Sequence, residues 1–296
     1  MKLDHKGIMV PMVTPFTQQG DLDEPGLREL TNFLIDQGMH MLFPAGSTGE
    51  GWSLTRDERK RVLEIVIETA NGRVPVYAGT GAISTRESIY LTKMAEDCGA
   101  DAAVLITPFY IVPNADELYE HFAAVARATK LPVFPYNNPG RTGVGLSAAV
   151  VARLSEIQNM AGIKDSSGDI SLIRQFVEKT RPGFAVCQGR DEMFFPGFVV
   201  GCCAAVAATA NVIPEPVLEI YRAYLAGDWQ RAQRAQSIVA VLRRALTLGT
   251  FPAVIKEAMA MVGRPAGPAR APVGGMSPRG REDLRSALTS MGVLSA

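Results

Sequence analysis

The sequence has no surplus of charge of either sign: its 296 residues carry 30 basic and 30 acidic side chains. Nucleic acid or an anionic membrane surface calls for a basic patch, and no basic cluster interleaved with aromatics is present, so neither is expected as a partner. No uninterrupted apolar run reaches the length of a membrane-spanning helix. The N-terminal Met1-Lys2-Leu3-Asp4-His5-Lys6 is charged and lacks the apolar stretch of a secretory signal behind it. Histidine is scarce, with only His5, His40 and His121, and their spacing does not resemble a ligand set. A metal-dependent reaction is therefore disfavoured. His40 and His121 read as structural or surface residues. The four cysteines, Cys98, Cys187, Cys202 and Cys203, form no C-x-x-C pair and sit in apolar segments. That is the usage of reduced, buried thiols, and a cytoplasmic location is expected.

What the chain has is apolar residues, 47% of the total, arranged in a rhythm. Short apolar runs predict strands at Gly7–Val10, Met41–Phe43, Val74–Ala78, Ala102–Ile106, Val133–Tyr136, Met160–Lys164, Phe184–Cys187 and Cys203–Ala207. Longer amphipathic segments lie between them. Thr55 with Glu58 and Ser84 with Glu87 have the capping-box spacing, and Asn114 with Glu117 is a looser relative of it. Eight such units with near-continuous apolar strands predict a closed parallel (β/α)8 barrel. A doubly wound sheet is the alternative, but no Gly-x-Gly-x-x-Gly turn follows the first strand. After about residue 210 the pattern turns helical: Pro214–Ala226, Asp228–Leu248, Pro252–Val262, a Pro/Gly-rich stretch from Gly263 to Pro278, and Arg279–Met291. Residues 1–210 thus read as the barrel, and 211–296 as a helical extension packed on it in a single structural unit.

In such a barrel chemistry gathers where strands end. Lys164 ends the sixth strand, just before the polar run Asp165-Ser166-Ser167-Gly168-Asp169. An amine held there is poorly solvated, and desolvation favours the neutral, nucleophilic form that condenses with a ketone. The plainer alternative is a lysine that snorkels to water. The second strand leads into Gly46-Ser47-Thr48-Gly49-Glu50, whose hydroxyls and amides suit a carboxylate. The fourth leads into Thr107-Pro108-Phe109-Tyr110, the fifth into Tyr136-Asn137-Asn138-Pro139-Gly140-Arg141-Thr142-Gly143, and the seventh into Gly189-Arg190-Asp191-Glu192. Singly, each could be a turn, a core residue or a surface ion pair. Together they offer an amine nucleophile, a phenol for proton relay, an anion loop and a guanidinium clamp.

Gly-Ser-Thr-Gly-Glu, Tyr136-Asn-x-Pro-x-Arg-Thr-Gly and Gly-Ile-Lys164-Asp resemble the dihydrodipicolinate synthase / N-acetylneuraminate lyase family of pyruvate-dependent class I aldolases. The resemblance extends to Pro11-Met-Val-Thr-Pro-Phe16 and Phe251-Pro-Ala-Val-Ile-Lys256, and so covers nearly the whole chain. It implies a lyase in which Lys164 forms an imine with pyruvate and Tyr136 relays protons. Thr48 would bind the pyruvate carboxylate, and Ser47 would join the relay. Tyr110 matches a tyrosine that reaches into a neighbouring subunit's site in family tetramers, which implies a homotetramer built as a dimer of dimers.

The second substrate divides the family's members. Arg141 matches the arginine with which synthases hold the carboxylate of aspartate semialdehyde, the default partner. Gly189, Asp191 and Glu192 resemble the Gly-x-Asp-Glu of sugar-acid lyases, whose acids bind substrate hydroxyls, and Ser47 is also the lyase-like choice. The plain alternative for Asp191 and Glu192 is a helix N-terminal turn, where acids suit the dipole. An aldolase or dehydratase of 2-keto-3-deoxy sugar acids or an N-acetylneuraminate-like substrate is therefore the second expectation. A non-catalytic pyruvate-binding member of the fold is the third. Trp52, Arg56 and Ile83 do not match the lysine-inhibition site of regulated synthases, so no lysine feedback is expected.

Overall fold

The computed structural model describes residues 3–264 and 266–295. Met1 and Lys2 of the charged N-terminus, Pro265 of the Pro/Gly-rich stretch and Ala296 at the end of the extension lie outside them. The strands are β1 (Gly7–Pro11), β2 (Met41–Phe43), β3 (Tyr77–Gly79), β4 (Ala102–Ile106), β5 (Val133–Asn137), β6 (Gly162–Asp165), β7 (Ala185–Gln188) and β8 (Ala204–Val206). β1 pairs in parallel with β2 and β8, and from β3 to β8 each strand pairs in parallel with the next in chain order. A parallel bridge between Leu42 and Val76 joins β2 to the start of β3. The result is the expected TIM barrel, with helices between the strands.

The apolar runs are continuous because both faces of every strand are covered. Ile8, Val10, Leu42, Ala103, Val133, Ile163 and Val186 face outward into the layer beneath the helices. Met9, Met41, Phe43, Val104, Phe134, Tyr136 and Cys187 face inward and fill the barrel. His5 closes the N-terminal end, with Nδ1 2.6 Å from the Tyr77 hydroxyl and its ring edge-on to Phe134.

Helix starts follow the capping signals with one exchange. Thr55 and Asn114 both form reciprocal boxes with Glu58 and Glu117. Ser84 accepts the Glu87 amide, but the Glu87 carboxylate is drawn instead to Arg56, so the side-chain half of that box is missing. A charged partner outcompetes a neutral backbone amide.

After β8, helix Pro214–Leu225 packs against β1, and Trp229–Ala245 packs against it in turn. Helices Ala253–Met261 and Pro278–Ser290 complete the C-terminal extension. No helix among the described residues is long and apolar enough to cross a membrane.

Candidate active site

Strand parity places the central pair. Ile163 points out to the helices, so the next residue, Lys164, points into the barrel; Phe134 points in, and so does Tyr136 two residues on. Register then sets Tyr136 directly beside Lys164 across β5 and β6. The Lys164 Nζ lies 3.8 Å from the centre of the Tyr136 ring and 5.0 Å from that of Phe43. Lys164 is only 6% exposed, so its contacts are aromatic faces rather than water.

The Tyr136 hydroxyl accepts a hydrogen bond from Asn138 Nδ2 at 2.7 Å. Burial pushes the phenol up. The Lys164 ammonium, hydrogen bonds with Ser166 and Asn138 and the charge of Arg141 more than offset this and hold it below the usual phenol range. A phenol in that state is the stronger proton donor, and its ionised form is reached at lower pH than that of a free phenol.

The loop after β2 is tightly built. Ala45 (φ 55°) and Glu50 (φ 52°) are non-glycine residues in the left-handed region at its two ends. Such strain persists only where the surroundings enforce it. A Cβ at Gly51 would lie 2.1 Å from the Ala45 carbonyl oxygen, so only glycine fits there. Thr14 Oγ1 donates to the Gly49 carbonyl at 2.6 Å. Held this way, Thr48 is buried and Ser47 half-buried.

A cavity of about 660 Å³ opens beside the pair. Phe43, Ser47, Tyr136 and Arg141 line it, together with Trp52, Arg56 and Ile83 among others. Arg141 comes from the short helical turn Pro139–Thr142, and its guanidinium lies 4.7 Å from the centre of the Phe251 ring. Gly189 gives room on the far side of Lys164: a Cβ there would stand 2.2 Å from Ser166 Oγ and 3.2 Å from Lys164 Cε.

The acids after β7 are engaged elsewhere. Asp191 is buried, and its Oδ1 accepts from the Thr209 amide (2.9 Å) and hydroxyl (2.7 Å). Burial raises its carboxyl above the usual range, with the Thr209 hydrogen bonds only partly compensating. Glu192 is held between Arg190 (2.8 Å) and Arg243 (3.1 Å). Neither acid lines the cavity. Tyr110 is also apart: it is 93% exposed, with φ 74°, while Phe109 lines the cavity. The structure thus gathers Ser47, Tyr136 and Arg141 around the cavity, with Lys164 against Tyr136, Gly189 against Lys164 and Thr48 buried beside Ser47, while Asp191, Glu192 and Tyr110 stand apart from this group.

Sequence reasoning passed over Asn138, Ser166 and Phe43. The first two lie two residues beyond Tyr136 and Lys164, and period-two spacing from a candidate catalytic residue is the signal that could have found them. His121, half of whose polar atoms bond Thr85 Oγ1 at 2.9 Å, is pushed down to about 4 by burial and is structural. His40 Nδ1 accepts the Ile8 amide at 3.1 Å. Among the described residues, no three His, Cys, Asp or Glu side chains are grouped to hold a metal ion.

Residues 4–291 match the model of the dihydrodipicolinate synthetase family. A relative named 4-hydroxy-tetrahydrodipicolinate synthase from Methanothrix thermoacetophila is 43% identical over 291 residues, spanning 98% of each chain. One of the same name from Methanopyrus kandleri is 38% identical, covering 98% of this chain and 97% of the other. The dihydrodipicolinate synthase of Acinetobacter baumannii, solved in complex with pyruvate, superposes with a TM-score of 0.94 at 38% identity, over 98% of this chain and 99% of that one. That of Bacillus anthracis gives 0.95 at 37%, over 97% and 99%.

Proposed function

The chain belongs to the dihydrodipicolinate synthetase family and is a lyase, and we propose from that premise that it is a 4-hydroxy-tetrahydrodipicolinate synthase working through a lysine imine. The observation that carries this reading is the Lys164 amine buried against the Tyr136 phenol at 3.8 Å from its ring centre, beside an open cavity.

Nζ of Lys164 attacks the keto carbon of pyruvate, and loss of water leaves a protonated imine. Tyr136, with Ser47, moves the protons that these steps exchange. The hydroxyl and amide of Thr48 hold the pyruvate carboxylate. The imine withdraws electrons, so a proton leaves the methyl carbon and an enamine forms. The enamine carbon attacks the aldehyde of aspartate semialdehyde, whose carboxylate Arg141 binds. The substrate amino group then displaces Nζ from the imine carbon, closing the ring and freeing Lys164. No cofactor or metal takes part.

Tyr110 is given to a neighbouring subunit. Its exposure, beside exposed Ile111 and Val112, fits a side chain that finishes a partner's site in a homotetramer arranged as a dimer of dimers. The enzyme acts in the cytoplasm on small molecules, with no nucleic-acid or membrane partner. Residues 1–210 and 211–296 work as one unit, since Phe251 of the second stacks on Arg141 of the first.

The sugar-acid reading depended on Asp191 and Glu192 meeting hydroxyls, and both acids are occupied by Thr209, Arg190 and Arg243. A turnover screen with pyruvate and aspartate semialdehyde, set against several 2-keto-3-deoxy acids, tests the proposal. Turnover of the first pair is expected; cleavage of a sugar acid without it would reject the synthase assignment.

A further inference from the structure

The loop that carries Ser47 and Thr48 is held from behind by a charged pair buried beneath the barrel mouth. Glu50 Oε1 lies 2.6 Å from Lys256 Nζ, with both side chains nearly inaccessible to solvent. Glu50 Oε2 accepts the Arg270 amide at 2.8 Å, from a residue 220 positions further along the chain. Lys256 also donates to the Pro268 carbonyl at 3.0 Å and lies 4.2 Å from the centre of the Phe16 ring. The Arg270 guanidinium lies 4.2 Å from the same ring and bonds the carbonyls of Gly20 and Ser53 and the Glu58 carboxylate. Lys256 and Arg270 thus clamp the far end of the loop, at Glu50, and Ser53 just beyond it, onto the C-terminal extension.

A carboxylate and an ammonium out of water are costly unless each is fully partnered, and a hydrocarbon pair of the same volume would fold as well. The pair is therefore weak evidence for a role in stability, and its contact with the loop points to a role in shaping it. Glu50 is left-handed, and its amide bonds back to the Ser47 carbonyl at 3.4 Å. Its side chain is held by Lys256 and Arg270, in the same short bend that carries the Ser47 and Thr48 hydroxyls.

We propose that Glu50 and Lys256 are positioning residues for keto-acid binding, through which the C-terminal extension sets the pose of the Ser47-Thr48 loop. This inference rests on the synthase reading for the identity of the keto acid. Neither residue touches substrate. Lys256 is a second buried lysine near the site, but its Nζ is committed to Glu50 and Pro268 and forms no imine.

The test uses the full-length chain. Lys256→Met should raise KM for pyruvate about tenfold, with a much smaller fall in kcat, because a misplaced carboxylate loop weakens binding before it alters the bound chemistry. Borohydride at saturating pyruvate should still label Lys164. Leu284→Ala, in the far helix Pro278–Ser290, serves as a purely destabilising control that leaves KM unchanged. A wild-type KM in folded Lys256→Met, or an equal rise in both variants, would overturn the proposal. If Lys256→Met fails to fold, Glu50→Gln keeps the Arg270 contact and should raise KM about threefold; an unchanged KM there overturns it equally. Hydrogen exchange on the wild type is independent of any variant: pyruvate should protect residues 45–51 and 256–270 together, and protection of the first stretch alone contradicts the coupling. Failure of pyruvate to label the wild-type enzyme would instead strike the synthase reading itself.

Discussion

The two sides of the barrel mouth are made of similar residue types and behave differently. At the ends of β5 and β6, Lys164 and Tyr136 face each other with the cavity beside them, and Arg141 rests on an aromatic ring without a carboxylate partner among the described ion pairs. At the end of β7, Asp191 is bonded to Thr209, and Glu192 is held between two arginines. Polar groups already paired within the protein stabilise a fold, whereas groups left for a ligand cost stability and carry function. Charge at a strand end is therefore not evidence of chemistry; what matters is whether the charge is already spent.

Each prediction probes one side of that contrast. Lys164→Ala should lower turnover by roughly 10³-fold or more, since the covalent step has no substitute; steady-state assay measures it, and near-normal turnover would erase the contrast. Tyr136→Phe should cut kcat by about 10²-fold, the usual worth of a positioned proton relay. Because the phenol sits below its ordinary range, the wild type should lose activity as Tyr136 deprotonates at a pH below 10, and this alkaline limb should vanish in Tyr136→Phe. Arg141→Ala should raise KM for aspartate semialdehyde about 10–100-fold, the loss of a charged hydrogen-bonded pair, while imine formation with pyruvate is unaffected. Asp191→Ala belongs to the other side: it should lower stability by about 1–3 kcal/mol in denaturant titration, because it strands the Thr209 donors, and leave both KM values within about twofold. A large KM effect there with little loss of stability would bring the acids back into the site.

Much of this was legible in the sequence because it is local. Strand parity alone turns Ile163 outward and Lys164 inward, and the same rule serves Tyr136. Lys164 and Tyr136 then meet because consecutive barrel strands are neighbours. What was illegible depends on partners far along the chain. Nothing near Asp191 announces that Thr209, 18 residues later, will take its carboxylate. From the sequence alone the acidic pair therefore suits a polyol site or a helix N-terminal turn equally well. Arg56 took Glu87 from its capping box across 31 residues in the same way. The Glu50–Lys256 pair is the extreme case, in which both motifs were visible and their contact was not.

The central claim is that the unspent amine is Lys164. Incubating the protein with pyruvate, reducing with borohydride and mapping the modified peptide by mass spectrometry tests it most directly. One stable adduct is expected, on the peptide carrying Lys164, with Lys256 unmodified. An adduct on Lys256, or none on Lys164, would contradict it.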